Sequence, residues 1–464
     1  MSSPPPVSKR VLPTLNQDGT RLQIRPRLSK GRIWWRRRAV GWALIALFVS
    51  LPFVRVAGKP AVFLDVAERQ FVFVGRTFLA TDGVLLMFLM LSIFVGIIFL
   101  TALVGRAWCG WGCPQTVYME FLFRPIERLF EGKRNDQLRL DKKGGGIRRV
   151  LKNITFLAVS VFVANVFLAY FVGTQRLAKW MTSSPFEQPG GFAVMAVTAL
   201  LVFFDFAYFR EQMCTVICPY ARLQAALFDK NSLVIGYDEP RGEPRHKGKP
   251  VAGAGDCIDC SACVTTCPTG IDIRKGLQLE CIACGQCIDA CDSIMEKIHK
   301  PTGLVRYASQ NNLAGLKSAV LRPRVFAYVA ILTGLLTALI FAGQTRANSD
   351  VTVLRGIGAP FVLQGETVRN QLRVKIESRA PEDGDFVIEV LIGRGEDAVV
   401  PEIAGVSVVN PENPLFVEKG ARRVTSLFVV AAKEEFENGQ LPVVIRVTDP
   451  SGALISTPYV LLGP

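Results

Sequence analysis

Three observations predict a membrane protein in three parts: an α-helical bundle of about five transmembrane helices, a cysteine-dense insert and a C-terminal all-β sandwich. First, half of the 464 residues are hydrophobic and mean hydropathy is +0.30, which leans toward a membrane chain. Second, eight of the 12 cysteines fall between Cys257 and Cys291, in two copies of one spacing. Third, beyond Phe341 the cysteines stop and short alternating apolar runs begin. The length also exceeds what one compact core holds. A formal charge of +15 would fit a nucleic-acid partner. The basic residues, however, sit in blocks flanking apolar runs, so charge asymmetry across a bilayer explains them and no nucleic acid is expected.

Residues 1–37 are poor in core formers and rich in base, and Trp34-Trp35-Arg36-Arg37-Arg38 lies at their end. This predicts a cytoplasmic basic tail with an aromatic interface anchor. A signal peptide fits less well, because the next apolar run is long for one and no A-x-A site follows it.

Apolar runs at 38–56, 83–104, 150–173, 190–209 and 325–343 approach or reach the roughly 20 residues that cross a bilayer. Four fall in a membrane region, 38–235, and the last stands alone. The tail, Arg106 to Arg149 and Arg210 to Arg324 are basic, whereas 57–82 and 174–189 are sparser in charge. That alternation predicts a multi-pass protein with its N-terminus inside and its C-terminus outside. The outward loop 57–82, with Phe71 and Phe73 alternating, reads as a short hairpin. Its role is not legible.

A repeated motif punctuates the membrane region. Trp108-Cys109-Gly-Trp-Gly-Cys113-Pro114 follows the second span, and Met213-Cys214-Thr-Val-Ile-Cys218-Pro219 follows the fourth. At an offset of 105 residues the cysteines and prolines superpose, as do Leu122-Phe123 and Leu227-Phe228. This is an internal duplication whose copies should face each other. Proline favours the first helical position, which puts Cys113 and Cys218 at helix N-termini, where thiolate is favoured. Cys109 and Cys214 would lie one turn back. Four soft sulfurs suit a soft cation such as Cu(I), or disulfide cycling. The bland alternative is four small packed hydrophobes.

The insert, 236–324, opens with a Gly-, Pro- and Arg-rich linker, 236–256. It then carries Cys257-x-x-Cys260-x-x-Cys263-x-x-x-Cys267-Pro268 and Cys281-x-x-Cys284-x-x-Cys287-x-x-x-Cys291. Three thiolates on one tight loop reach three irons of a single cube, and the fourth reaches the other cube. A bacterial-type double 4Fe–4S ferredoxin domain is therefore expected. Cys257, Cys260, Cys263 and Cys291 would hold cluster one, and Cys281, Cys284, Cys287 and Cys267 cluster two. Structural zinc prefers pairs with a long spacer, and a disulfide framework suits a small secreted chain. Asp292 stands where the first run has Pro268, which predicts an altered second-cluster pocket. Such cysteine usage implies a reducing compartment, in agreement with the charge pattern. Residues 300–324 read as a helical return to the last span.

Residues 347–464 contain Leu372–Ile376, Phe386–Val390, Val424–Phe428 and Val443–Val447, alternating runs parted by turn signals such as Glu382-Asp-Gly-Asp385 and Asp449-Pro-Ser-Gly452. These predict an immunoglobulin-like antiparallel sandwich, used for docking or as a passive cap.

Other candidates are weaker. His246 and His299 lie outside every span, so bis-histidine haem within the membrane is excluded for this chain alone. Met87, Met90 and Met213 are core fillers before they are ligands. Asp205, at the inner end of the fourth span, is a costly carboxylate that would pair with Arg210 or serve a proton or metal.

These features together resemble the FixG/RdxA family of membrane polyferredoxins, the cytochrome c oxidase accessory proteins of CcoG type. The resemblance covers nearly the whole chain: the Trp-Arg entry, the paired C-x-x-x-C-P spans, the double ferredoxin run, the stretch from Gly58 to Asp82 and the C-terminal sandwich. It implies a cupric reductase in the bacterial inner membrane, supplying Cu(I) for a cbb-type oxidase, with the sandwich in the periplasm. It implies two 4Fe–4S clusters on the eight insert cysteines, and copper or redox thiols at Cys109, Cys113, Cys214 and Cys218. Implied partners are oxidase assembly factors or copper chaperones, together with a cytoplasmic electron donor whose identity is left open. A homodimer also stays open. Two rival readings remain: a subunit exchanging electrons with quinol, and a non-enzymatic assembly scaffold.

Overall fold

Long apolar runs set five long helices, labelled here α1 to α5: Arg32–Ser50, Gly83–Val104, Gly146–Val172, Pro189–Phe204 and Pro323–Gln344. The structure, a computed structural model, describes every residue except 1–9, 13, 17–19, 57, 67–69, 80–81, 145, 228, 248–251, 320, 345–348, 379–382, 394–405 and 419–420. Phe228, Glu382 and the start of the expected 347–464 domain thus lie outside the described residues. The chain divides into two units, Met1–Ile340 and Phe341–Pro464.

Among the described residues, four helices are long and apolar enough to cross a membrane: α2, α3, α4 with its continuation to Phe209, and α5. The expected first span, 38–56, is not among them. Helix α1 starts earlier, at Arg32, so Arg32, Arg36, Arg37 and Arg38 occupy its first two turns. It stops at Ser50, just before Pro52, and Arg55–Val56 pair as a strand with Lys59–Pro60. Helix α1 nevertheless packs into the bundle. Gly41, at its middle, abuts Phe121, and near its end the Phe48 carbonyl accepts from the Tyr170 hydroxyl of α3 at 2.7 Å.

The tail is not free of the bundle. Arg25 is buried and bonds Asp141 at 2.9 Å through Nη2, with Nη1 on Glu127. The Arg27 amide donates to the Thr265 carbonyl at 2.8 Å. The basic run predicted a solvated segment because its carboxylate partners lie more than 100 positions away. The loop after α1 is richer than a hairpin. Val62–Asp65, Gln70–Phe73 and Arg76–Leu79 form an antiparallel meander, with Phe63 against Gly173 at the end of α3.

The insert closes on itself through Val234–Tyr237 paired antiparallel with Val305–Ala308. The linker expected at 236–256 is therefore partly ordered: Ile235 and Tyr237 are buried, and Arg241 bonds Asp256 at 2.6 Å. The helical return expected over 300–324 is instead that strand plus one turn, Gln310–Leu313. Two helices, Ala262–Thr266 and Gln286–Lys297, carry cysteines. Asp289 on the second helix accepts from the amides of Ile33 (3.1 Å) and Trp34 (2.8 Å). It thereby caps α1, whose own N-cap, Gly31, offers no side chain.

The second unit is built on antiparallel strands, with one 3-10 turn at Lys433–Glu435 among the described residues. One sheet orders Ser349–Arg355, Thr367–Ser378, Arg422–Ala432 and Ser407–Val409, with Val362–Gln364 pairing to the second of these. The other orders Leu415–Val417, Gly384–Ile392, Gln440–Thr448 and Leu454–Leu462. Alternate residues point inward, so Leu372, Val374 and Ile376 meet Phe386, Ile388, Leu427 and Ile445 in a closed core. All four expected runs are strands of this sandwich.

Candidate functional site

Each copy of the repeated motif ends a helix, turns, and starts another. Cys109 lies in the short helix Ala107–Trp111, and Cys113 precedes the helix Pro114–Tyr118. Cys214 lies in the π-turn Met213–Ile217, and Cys218 precedes the helix Pro219–Leu227. Both prolines occupy the first helical position, where a missing N–H costs nothing.

The two copies face each other. Gln115 Nε2 of the first donates to Asp205 Oδ1 (3.1 Å) and to the Arg210 carbonyl (3.2 Å) of the second. Asp205 therefore takes Gln115 and not the Arg210 side chain, which lies on Glu127. The Cys109 thiol donates to Gln224 Oε1 at 3.2 Å. Cys109 lies within electrostatic range of Cys113 and Cys218, and Cys214 within range of Cys113, Cys109 and Cys218, so the four thiols share one neighbourhood. Met87 and Met90 are exposed on α2.

The helix end at Cys113 does not make a ready thiolate here. Burial pushes Cys109 and Cys214 up to about 12, helped by the neighbouring cysteines. Burial also raises Cys113, although the amides of Thr116 and Gln115 oppose it. At Cys113 desolvation outweighs the amides of the helix N-terminus. A soft cation bound here would therefore displace protons.

In the insert, Cys257, Cys260, Cys263 and Cys291 line one cavity. Cys267, Cys281, Cys284 and Cys287 line a second, with Cys263 between the two. The crossed spacing brings these sets together because Cys291 ends a helical turn that returns to the first loop. Burial raises Cys263, Cys281 and Cys291 to about 12 and Cys284 to about 11. Asp292 accepts from the Gly303 amide at 2.8 Å, and its neighbour Cys291 lines the first cavity. The departure from proline therefore falls at the first pocket and not, as expected, at the second.

Among the described residues, no three Cys, His, Asp or Glu side chains converge tightly enough for a single metal ion. A cube does not ask this of its ligands, because its thiolates sit on separate irons. A single copper ion at the repeated motif would have to draw its thiols inward.

One contact joins the two sites. A Cβ on Gly110, between Cys109 and Cys113, would lie 2.6 Å from the Ile282 carbonyl and 2.9 Å from Ala283. Ile282 and Ala283 sit between Cys281 and Cys284. The thiol loop thus lies directly on the loop of the second cavity. Trp111 Nε1 donates to the Tyr307 hydroxyl (3.1 Å), which donates to the Ala283 carbonyl (2.7 Å). Arg106 adds a cation within range of Cys109 and Cys281. The spacing of the cysteines could not show these neighbours, because each comes from a distant segment.

Comparison with known proteins agrees with this architecture. A family profile described as a 4Fe–4S dicluster domain matches residues 209–310. One described as a 4Fe–4S binding domain matches 86–135, and an Ig-like fold at the C-terminus of FixG matches 339–464. The chain is 30% identical to the nitrogen fixation protein FixG of Rhizobium meliloti, over 93% of this chain and 90% of that one. The chain belongs to the FixG/RdxA family. Another member, protein RdxA of Cereibacter sphaeroides, is 32% identical over 83% of this chain and 85% of its own. RdxB of the same organism is 32% identical over 77% and 78%. As a FixG/RdxA protein, the chain is a membrane-associated iron–sulfur electron-transfer protein with a C-terminal Ig-like domain, as the motifs led us to expect.

Proposed function

We propose that this chain reduces Cu(II) to Cu(I) at the four thiols Cys109, Cys113, Cys214 and Cys218, for assembly of a cbb-type cytochrome c oxidase. The insert cysteines would hold two 4Fe–4S clusters: Cys257, Cys260, Cys263 and Cys291 one, Cys267, Cys281, Cys284 and Cys287 the other. When bound, these clusters supply one-electron storage. The observation that carries the reading is the close approach of Gly110 to Ile282 and Ala283. It leaves no Cβ of residue 110 between the loop of the thiols and the loop of the second cavity. That second cavity is here the inner cluster site, and the first cavity, with its exposed Cys260, is the outer one.

Each copper ion takes one electron, and no bond of the protein breaks. Thiolates prefer the softer Cu(I), so binding favours reduction. Gln115 ties the two copies together and so fixes the thiols relative to each other. The basic residues flanking the spans support a bacterial inner-membrane location, with the insert in the cytoplasm and the sandwich in the periplasm. The electron donor would then be cytoplasmic, and oxidase assembly factors or copper chaperones would receive the product.

The test is copper reduction by anaerobically purified, reconstituted protein, followed with a Cu(I)-specific chelator. Replacing Cys113 and Cys218 by serine should abolish it and leave the iron–sulfur absorbance intact. Unchanged activity would remove the thiols from the reaction.

A further inference from the structure

We propose that Arg37 sets the reduction potential of the cluster held by Cys267, Cys281, Cys284 and Cys287, keeping it above that of the neighbouring cluster. Arg37 is 1% exposed. Its Nε donates to the Gly110 carbonyl at 2.9 Å, and its guanidinium lies 5.6 Å from the centre of the Phe121 ring. Nη1 and Nη2 are both buried and have no partner. Gly110 itself packs on Ala283, next to Cys284. Four donor hydrogens of a buried cation thus have no protein acceptor, and Arg37 reaches the loop of the inner cavity through Gly110.

A buried cation without an acceptor is expensive, and a nearby negative charge is what completes it. Glu120, a carboxylate on which the charge of Arg37 acts, is already engaged. Glu120 takes Arg124 at 2.6 Å and Gln286 at 2.9 Å. A cluster with four thiolates and its sulfides supplies the missing acceptors, and its net charge becomes more negative on reduction. Arg37 therefore favours the reduced form, as hydrogen bonds and charge around such groups generally do.

Among the described residues, one arginine lines the outer cavity, and its donors are taken. Arg274, beside Cys263, is committed to Asp272 at 2.8 Å and Asp259 at 2.6 Å. Asp292 follows Cys291 and adds negative charge there. The asymmetry makes the inner cluster the better acceptor, so electrons entering the exposed side of the insert would run downhill toward the thiols.

The proposal rests on the ligand assignment above but not on copper as substrate. It is tested by potentiometric titration of full-length protein, followed by electron paramagnetic resonance and iron analysis. R37M should retain its iron and shift one of the two cluster signals at least tenfold in its oxidised-to-reduced ratio, about 59 mV negative for a one-electron couple. R37K should restore most of that shift, and the other signal should stay in place. E120Q, which removes a negative charge acting on Cys284, should move the same signal the opposite way. If R37M fails to hold its clusters, E120Q decides alone. Absence of the E120Q shift, equal movement of both signals, or an R37K as altered as R37M would overturn the assignment. Wild-type protein that leaves Cu(II) unreduced yet shows these shifts would lose its proposed substrate and keep the role of Arg37.

Discussion

Gly105 and Arg210 adopt the same backbone conformation, with φ 58° and ψ −129° in one and φ 55° and ψ −124° in the other. They are equivalent positions of the duplication, each ending the helix that precedes a C-x-x-x-C-P motif. Glycine reaches this region freely, whereas an arginine there is strained by about 1–3 kcal/mol. What holds Arg210 is Glu127, bonded by Nη1 at 2.7 Å and Nη2 at 3.1 Å, with both side chains buried.

This pair makes an ordered prediction. Removing one partner of a buried ion pair costs about 3–5 kcal/mol, more than the strain relieved. R210G should therefore be less stable than wild type, yet more stable than R210A, which loses the pair and keeps the strain. Thermal unfolding in detergent should rank them in that order.

The approach at Gly110 makes a kinetic prediction. A methyl group 2.6 Å from the Ile282 carbonyl must push the two loops apart. G110A should therefore slow copper reduction by pre-reduced protein while the iron content stays complete. A rate equal to wild type would mean that electrons leave the insert by another route.

Acid stability should follow Glu127. Burial would raise its carboxyl, but Arg210 and Arg25 outweigh burial and hold it at about 2, against an ordinary 4.5. The folded value is the lower one, so the stabilisation is complete above about pH 4.5 and drains away as pH falls toward 2. Melting temperature of wild type should drop through that window. E127Q should begin lower and show a shallower slope there.

The sandwich has its own closed core, built from Val374, Phe386, Leu427 and Ile445 among others. A chain ending at 346 should therefore keep its iron and its copper reduction in detergent, and lose only what depends on docking. Complete loss of reduction would favour the scaffold reading over the reductase.

Much of this was legible in the chain. The double cysteine spacing announced the insert, because iron cubes impose a short loop period. The offset of 105 residues announced the facing copies, and alternation announced the strands. What escaped was the setting. Arg25 and Arg37 look like membrane-flanking charge in a linear reading, since Glu127 and Gly110 are 102 and 73 positions away. The end of α1 was misjudged because its hydrophobicity outlasts its helix, which Pro52 cuts short. Asp292 was read as a substitute for proline at one pocket, when the crossed return of Cys291 carries it to the other.

The capping of α1 by Asp289 has a consequence for biogenesis. The bonded residues Trp34 and Asp289 are 255 positions apart, so the ribosome releases the first helix long before it makes the side chain that completes it. Until the ferredoxin lobe has folded, the amides of Ile33 and Trp34 lack this partner. A chain starved of iron should thus be recognised as unfinished at its very beginning, and membrane proteases would have an early handle on defective copies.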